Sequence, residues 1–298
     1  MPMKHTLSVT VVLILIFLFT QLFGLYTVYR YVDVGIQDGK LTLIHEDTAL
    51  GEQPRLENKD WSFIPLLLLI LIGTALIFAL IRFRLGGYWK YGFVLSVFLA
   101  LAVALGVYIP FFYALTIAAL LAYWKVFRPN PWIHNLTEVF IYPGITLILL
   151  PYLNIFSGII MLLLIAVYDA IAVWKSKHMI SLAKFQTSQR AFAGVFVPYT
   201  KSMMPRRKVA GAPKQGKTAI LGGGDLAFPL LFGGVVYESL LLQGITPGIA
   251  LLQSAIIAIT STVALTILLF TAEKGKFYPA MVFLSAGCLI GYGVLLVI

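Results

Sequence analysis

Long apolar runs separated by short polar stretches extend over the whole chain. Most of the runs are roughly 18 to 25 residues long, the length that an α-helix needs to cross the hydrocarbon layer of a bilayer. Barrel strands would be half as long and would alternate in polarity. The pattern therefore predicts an all-α, polytopic membrane protein with nine transmembrane helices. The nine segments are residues 7–31, 61–81, 91–108, 111–123, 136–150, 155–173, 219–242, 248–270 and 278–298.

Prolines complicate the middle of this pattern. Pro110 is the only break between the third and fourth segments, and Pro143 interrupts the fifth. The first segment follows Lys4 and in this respect resembles a signal peptide. Its length and the absence of a small-x-small cleavage site favour a transmembrane helix instead.

The charges between the apolar runs predict the orientation of the chain. The first connection, residues 33–60, has seven acidic and three basic residues, whereas the sixth, residues 174–217, has ten Lys and Arg and no acidic residue. Every even-numbered connection is basic. Because cytoplasmic loops carry an excess of Lys and Arg, the N-terminus is predicted to be cytoplasmic and the C-terminus exterior. The chain is then a single membrane domain, 1–298, in which helices one to six (1–173) and helices seven to nine (218–298) flank a basic cytoplasmic loop (174–217).

Composition supports a lipid environment and argues against nucleic-acid binding. Only 11% of the residues are charged and 60% are hydrophobic, with a mean hydropathy of +0.94. The net charge of +10 comes from basic residues in the loops, where membrane topology explains them. The single cysteine, Cys288, excludes an internal disulfide. The basic loop also contains residues 180–199, a mixed apolar and basic stretch that either forms an interfacial helix or is a solvated loop.

Four acidic residues lie in or at the membrane, where an ionisable group is costly and usually functional. They are Glu138, Asp169, Asp225 and Glu238. Asp169 lies six residues before Lys175 and Asp225 lies eight residues after Lys217, on helices that run in opposite directions. Both are therefore roughly 9 to 12 Å from the cytoplasmic boundary.

Two carboxyls at the same depth fit an aspartyl dyad. Neighbouring carboxyls cannot both ionise and hold one proton between them, so one acts as base and the other as acid. The base takes a proton from water as the water attacks a carbonyl, and the acid donates to the carbonyl oxygen. Glu138, at the start of its predicted helix, and Glu238, about 20 Å beyond Asp225, need no catalytic role.

Other roles for the two aspartates stay open on this evidence. They would also suit polar contacts between helices, although no basic residue is predicted in their layer. In a different class of protein, a proton- or cation-coupled transporter or an ion leak channel, they would carry protons or ions. Transporters usually place acids nearer the midplane and show repeated halves, which this sequence lacks. A prepilin-peptidase-like protease is the third alternative.

Three short motifs resemble those of a known family. Tyr168-Asp169, Gly222-Gly223-Gly224-Asp225 and Pro279-Ala280-Met281 are similar to the YD, GxGD and PAL motifs of the presenilin and signal peptide peptidase family. Helix number, order and spacing agree over the whole chain, most closely with microbial, in particular archaeal, homologues. Met281 departs from the family pattern, because it stands where the family has leucine.

The resemblance implies an intramembrane aspartyl protease with Asp169 and Asp225 as the catalytic pair. It also implies that Pro279, Ala280 and Met281 position the substrate, and that no metal or organic cofactor is needed. The expected partners are transmembrane peptides or membrane-protein substrates in the lipid bilayer of a microbial cell, with no nucleic acid. Oligomeric state and accessory subunits are left open.

The residues beside the dyad fit substrate binding. Glycines such as Gly222 and Gly224 remove side chains and weaken the helix, which lets water and a substrate backbone approach Asp225. A substrate helix must unwind before its carbonyls are accessible, and we expect these glycines and the Pro279 region to bind the unwound stretch as an added strand. Tyr168 is expected to hydrogen-bond near the dyad.

Overall fold

The computed structural model describes residues 6–37, 39–46, 48, 51, 59–83, 85–128, 130–175, 192–198, 218–273 and 278–298. Within these residues the α-helices are α1 (Leu7–Tyr31), α2 (Phe63–Arg82), α3 (Gly86–Gly106), α4 (Phe111–Phe127), α5 (Pro131–Leu149), α6 (Ile155–Ala170), α7 (Gly223–Leu242), α8 (Pro247–Thr271) and α9 (Ala280–Leu295). One π-helical turn, Ile171–Lys175, continues α6. The antiparallel strands are β1 (Val32–Gln37) with β2 (Lys40–His45), and β3 (Gly194–Pro198) with β4 (Thr218–Gly222).

The helices confirm the predicted polytopic all-α fold. The nine helices of the described residues correspond one to one with the nine predicted segments. Seven of them are long and apolar enough to cross a membrane, and α4 and α9 are shorter apolar helices. The orientation of the two termini stays a prediction.

A strand replaces the predicted start of the seventh helix. The sequence predicted helix from residue 219, but residues Thr218–Gly222 form β4 and α7 begins at Gly223. The backbone of β4 is paired with β3, with Val195 opposite Leu221 and Val197 opposite Ala219. Apolar periodicity alone did not separate a short buried strand from the helix that follows it.

The partner strand, β3, falls in the stretch considered for an interfacial helix. Most of residues 180–199 lies outside the described residues, but its final part, Gly194–Pro198, is extended. Val195 and Val197 are buried and Phe196 between them is half-buried, which is the alternation of a strand. The β-branched valines also favour a strand over a helix here.

The first connection contains a hairpin that the loop charges did not predict. β1 and β2 pair in register from Val32 with His45 to Gln37 with Lys40. His45 Nε2 lies 2.6 Å from Glu238 Oε1 near the end of α7, and Lys59 Nζ lies 3.9 Å from Glu238 Oε2. Glu238 is thus occupied by basic side chains of this connection, consistent with its predicted lack of a catalytic role.

Helix α7 lies at the centre of the bundle, and glycines allow its neighbours to approach. Thirteen of its twenty residues are buried. A Cβ on Gly24 of α1 would collide with the Leu230 side chain of α7, and one on Gly233 of α7 would lie 3.1 Å from Leu25 Cδ2. Small residues commonly mediate helix contacts in lipid, where no hydrophobic force brings helices together.

Two expectations about charged residues near the α4–α5 connection need correction. The predicted fourth segment ended at residue 123, which assigned Lys125 to the basic fourth connection; α4 instead continues to Phe127, so Lys125 is inside a helix and buried. Helix α5 begins at Pro131, capped by Asn130, so Glu138 is two turns inside α5 rather than at its start. Lys125 Nζ and Glu138 Oε1 are 2.6 Å apart, so an ion pair, and not the helix dipole, stabilises Glu138.

Candidate active site

The two aspartates that the sequence singled out lie on adjoining helices at one site. Asp169 is in the last turn of α6, and Asp225 is in the first turn of α7. Their carboxyls are close enough to interact electrostatically, and both side chains are only partly accessible. The two carboxyls therefore interact at the junction of α6 and α7.

Asp169 is linked to the start of α9. The Met281 N–H donates to Asp169 Oδ2 over 3.1 Å. This N–H is one of the donors that the first turn of a helix leaves without an intrahelical partner, and Pro279 is the N-cap residue of α9. The Pro279-Ala280-Met281 motif thus contacts the dyad through its backbone.

The Met281 side chain is buried in the hydrophobic core. Only 3% of Met281 is exposed, whereas Ala280 is half-buried. The third position of the motif therefore serves Asp169 through a backbone N–H that any residue except proline provides. This explains physically why methionine is an acceptable replacement for the family's leucine here.

The glycines before Asp225 have three different environments. Gly222 is the N-cap of α7; its N–H donates to the Asp225 carboxylate, and a Cβ there would lie 3.1 Å from Asp225 Oδ2. Gly223 abuts the Tyr142 hydroxyl, where a Cβ would again be 3.1 Å away. Gly224 is exposed, and a Cβ there would make only an ordinary 3.4 Å contact with Phe228. Gly224 leaves open space beside the dyad, whereas Gly222 and Gly223 permit close packing.

Tyr168 contacts the helix α2. Its hydroxyl donates to Thr74 Oγ1 over 3.5 Å, near the upper limit for a hydrogen bond. Tyr168 therefore joins the helix that carries Asp169 to α2. The sequence analysis expected the Tyr168 hydroxyl to hydrogen-bond near the dyad. The hydrogen bond described here is to Thr74 of α2.

A buried amide that the sequence analysis overlooked supports the turn after Asp225. Gln21 of α1 is 1% exposed, and its Nε2 donates to the Leu226 carbonyl over 2.9 Å. Pro229, inside α7, has no N–H to give to the carbonyl of Asp225, so this turn has fewer hydrogen bonds of its own. A glutamine in the middle of an apolar run was the available signal.

One edge of the β3–β4 sheet is closed by α5. Asn135 Nδ2 donates to the Phe196 carbonyl over 2.8 Å, and the Phe196 N–H donates to Asn135 Oδ1 over 3.0 Å. His134 Nε2 lies 2.7 Å from the Gly194 carbonyl. These side chains occupy outer backbone groups of β3, and among the described residues no further strand pairs with β4, which leads into α7 and Asp225.

The side chains that meet at this site are suited to acid–base chemistry. Among the described residues, no group of three or more His, Cys, Asp and Glu side chains is arranged to hold a metal ion. Paired carboxyls beside exposed backbone can activate water and protonate a carbonyl oxygen.

The chain is similar to a known protein family and to solved structures. The model of the family described as signal-peptide peptidase, presenilin aspartyl protease matches residues 63–298. Two solved structures of a presenilin family intramembrane aspartate protease, in C222 and P2 space groups, share the fold at 18% identity. The first covers 97% of this chain and 98% of its own with a TM-score of 0.62; the second covers 95% and 96% with a TM-score of 0.60. A search of curated proteins found no match.

The transporter or channel alternative gains no support from these comparisons. The family match spans most of the chain and includes both aspartates, the glycines before Asp225 and the Pro279-Ala280-Met281 motif. The chain belongs to the signal-peptide peptidase and presenilin family and is an intramembrane aspartyl protease.

Proposed function

We propose that Asp169 and Asp225 are the catalytic pair of this protease and that they hydrolyse peptide bonds in transmembrane segments of membrane proteins. The proposal rests on the electrostatic interaction between these two carboxyls, which lie in the last turn of α6 and the first turn of α7. Each carboxyl also has a backbone N–H donor, from Met281 and from Gly222 respectively.

The chemistry follows from a proton shared by the pair. The ionised aspartate accepts a proton from water as the water oxygen attacks the scissile carbonyl carbon, and the protonated aspartate donates to the carbonyl oxygen. Collapse of the tetrahedral intermediate breaks the C–N bond, and a proton passes to the leaving amine. The backbone donors from Met281 and Gly222 hold the carboxyls in place during these transfers.

A substrate strand is expected to bind at the free edge of β4. Asn135 hydrogen-bonds both the N–H and the C=O of Phe196, so these backbone groups point toward α5. The backbone N–H and C=O of the neighbouring Val195 and Val197 therefore point toward β4. Their partners Leu221 and Ala219 therefore face β3. By the alternation of antiparallel strands, the N–H and C=O of Ile220 point to the opposite edge.

An added strand at that edge would bring a peptide bond to the dyad. Ile220 is 46% exposed, and two residues later Gly222 hydrogen-bonds Asp225. A neighbouring strand lies about 4.8 Å away, so an unwound substrate on β4 runs beside Gly222 and the open space at Gly224. Pairing with β4 also compensates the substrate for the helical hydrogen bonds that it gives up.

The test of the catalytic pair is cleavage of a labelled transmembrane peptide by the purified protein in liposomes. We expect Asp169→Asn and Asp225→Asn each to reduce cleavage to background, because either change removes one half of the acid–base pair. Asp33→Asn, on the exposed strand β1, is the matched control and should cleave normally. Cleavage by either dyad variant at the wild-type rate would reject the proposal.

The predicted orientation gives the direction of the substrate. With a cytoplasmic N-terminus and an exterior C-terminus, both aspartates lie near the cytoplasmic face, and substrates with a cytoplasmic C-terminus are expected, in the membrane of a microbial cell. Cysteines introduced singly at Gly39 and at Lys208 would test this in intact cells. Labelling of Gly39→Cys, but not of Lys208→Cys, by an impermeant reagent is the expected result; the reverse pattern would invert the topology.

A further inference from the structure

We propose that Tyr142, braced by the buried Lys125–Glu138 ion pair, is a positioning residue that fixes the first turn of α7 and thereby places Asp225. The inference rests on the proposed catalytic role of Asp225. It concerns side chains of α4 and α5 that lie outside the dyad.

The ion pair is fully enclosed and well hydrogen-bonded. The side chains of Lys125 and Glu138 are 0% and 1% exposed, with Nζ 2.6 Å from Oε1. Lys125 Nζ also donates to Thr137 Oγ1 over 3.1 Å and to the His134 carbonyl over 3.3 Å. Three N–H groups of the ammonium thus have acceptors, which is the condition under which a buried ion pair is tolerated.

Tyr142 connects this pair to α7. Its hydroxyl donates to Glu138 Oε2, one turn back on α5, and the whole side chain is buried. On its other side the hydroxyl oxygen faces Gly223, where a Cβ would lie 3.1 Å from the oxygen and 3.3 Å from Cε1. Tyr142 also interacts electrostatically with Asp225. Glu138 therefore fixes a hydroxyl that leaves little room for a side chain at Gly223, the first residue of the helix that carries Asp225.

The same part of α5 holds the strands that lead into α7. His134 and Asn135 bind the backbone of β3, and the Gly223 N–H donates to the Ala193 carbonyl over 3.2 Å. Gly223 is therefore fixed on one side by the backbone before β3 and on the other by Tyr142. Tyr142 is on α5, and the strand that follows Ala193 is held by α5 side chains. The position of Asp225 therefore depends on α5 as well as on its own helix.

A buried ion pair is weak evidence for stability, because packed apolar residues of similar volume are often as stable. What an apolar replacement would not supply is an acceptor that fixes the Tyr142 hydroxyl. A catalytic carboxyl displaced by a fraction of an ångström loses rate without losing the fold. The position of Asp225 is therefore the property that should respond to this network.

The first experiment compares Tyr142→Phe with wild type in the liposome cleavage assay. The variant keeps the ring and removes the hydroxyl, so we expect kcat to fall about tenfold while KM changes less than about twofold. Tyr237→Phe is the matched control, because the Tyr237 hydroxyl is also buried on α7 but has no hydrogen-bond partner among the described residues. Equal kcat for Tyr142→Phe and wild type would overturn the proposal.

The second experiment tests whether the Tyr142 hydroxyl and Gly223 are energetically coupled. Gly223→Ala places a methyl group against the Tyr142 oxygen and should lower kcat, whereas Tyr142→Phe removes that oxygen. If the two sites are in contact, the double variant will have a higher kcat than the product of the two single effects predicts. Strictly multiplicative effects would overturn the contact and with it the positioning role.

Two further variants show whether a loss of cleavage comes from misfolding or from failure of the proposed catalytic role of Asp225. Lys125→Met alone leaves a buried carboxylate without its partner and is expected to misfold, so it is replaced by the apolar paired variant Lys125→Met/Glu138→Leu, which removes the acceptor of the Tyr142 hydroxyl and should fold and lower kcat as Tyr142→Phe does. If Asp225→Asn still cleaves, the proposed function fails. If Asp225→Asn is inactive but Tyr142→Phe and the paired variant retain wild-type kcat, only the inference about Tyr142 fails.

Discussion

Helices α2 and α7 differ most clearly in how much of their surface is buried in the helix bundle. No residue of α2 is buried, whereas thirteen of the twenty residues of α7 are. Yet α2 is the more apolar of the two. In water the more apolar helix would be the more buried one, but in lipid the exposed position is favourable for an apolar side chain.

Two glycines and one interhelical hydrogen bond distinguish the contacts of α7 from those of α2. Gly233 and Gly234 bring α1 and α5 close, and Gln21 of α1 donates to its backbone. The glycine of α2 makes no comparable close contact, because a Cβ on Gly73 would meet no heavy atom within 4 Å. Burial in this protein is thus decided by close packing and hydrogen bonding, which implies a rigid platform for Asp225 and a loosely held helix beside Asp169.

The largest difference between the two helices should appear on truncation of a leucine. Leu230→Ala on α7 opens a cavity beside Gly24 and should lower the free energy of unfolding by about 2 to 3 kcal/mol, from lost packing. Leu69→Ala on α2, where the side chain is 63% exposed, should cost less than about 0.5 kcal/mol. Thermal unfolding in detergent measures both, and equal costs would refute the comparison.

A smaller difference is expected when glycine is enlarged. Gly24→Val inserts side-chain atoms into the space of Leu230, and overpacking of this kind costs about 1 to 2 kcal/mol. Gly73→Val on α2 has open space and should change the unfolding temperature little. A marked loss of stability for Gly73→Val would show that α2 is held by contacts that its exposure does not reveal.

Loss of one interhelical hydrogen bond should have an effect of about 0.6 to 1 kcal/mol. Gln21→Leu removes the donor to the Leu226 carbonyl, one residue after Asp225, so cleavage should fall several-fold as well. Gln253→Leu on α8 is the control, because the Gln253 amide oxygen is buried without a hydrogen-bond partner among the described residues. An unchanged cleavage rate for Gln21→Leu would separate α1 from the placement of the site.

The smallest effect is expected where α2 meets the site. Thr74→Val removes the acceptor of the 3.5 Å hydrogen bond from Tyr168 and should alter stability by less than about 0.5 kcal/mol. Thr116→Val on α4, whose hydroxyl donates only within its own helix turn, provides the reference. A large loss of cleavage for Thr74→Val alone would mean that α2 positions Tyr168 more firmly than the geometry indicates.

The helices were predictable because lipid imposes a strong rule on the sequence. Every backbone polar group needs an internal partner, so a run of about 20 apolar residues has one available structure. The rule does not distinguish α2 from α7, since both satisfy it. It also fails at Thr218–Gly222, where five residues pair with residues 20 to 28 positions earlier in the sequence.

The dyad was predictable from depth and motif, but its supports were not. Asp169 and Asp225 stood out as acids in apolar segments, whereas Met281 acts through a backbone N–H that no side-chain pattern reveals. Lys125 and Glu138 were assigned to a loop and a helix start because the segment boundaries near Pro131 were placed too far apart. A longer α4 and an earlier start of α5 turn both into buried partners.

The Asn135 amide determines which edge of the β3–β4 sheet can accept a further strand. By occupying the backbone of Phe196 it covers the outer edge of β3, where a guest strand would lie two strand spacings, about 10 Å, from β4. Unproductive docking is thereby prevented, and edge-to-edge association of two enzyme molecules through that side is blocked as well. Among the described residues, the edge of β4 is therefore the one at which the proposed substrate strand can be added, beside Asp225.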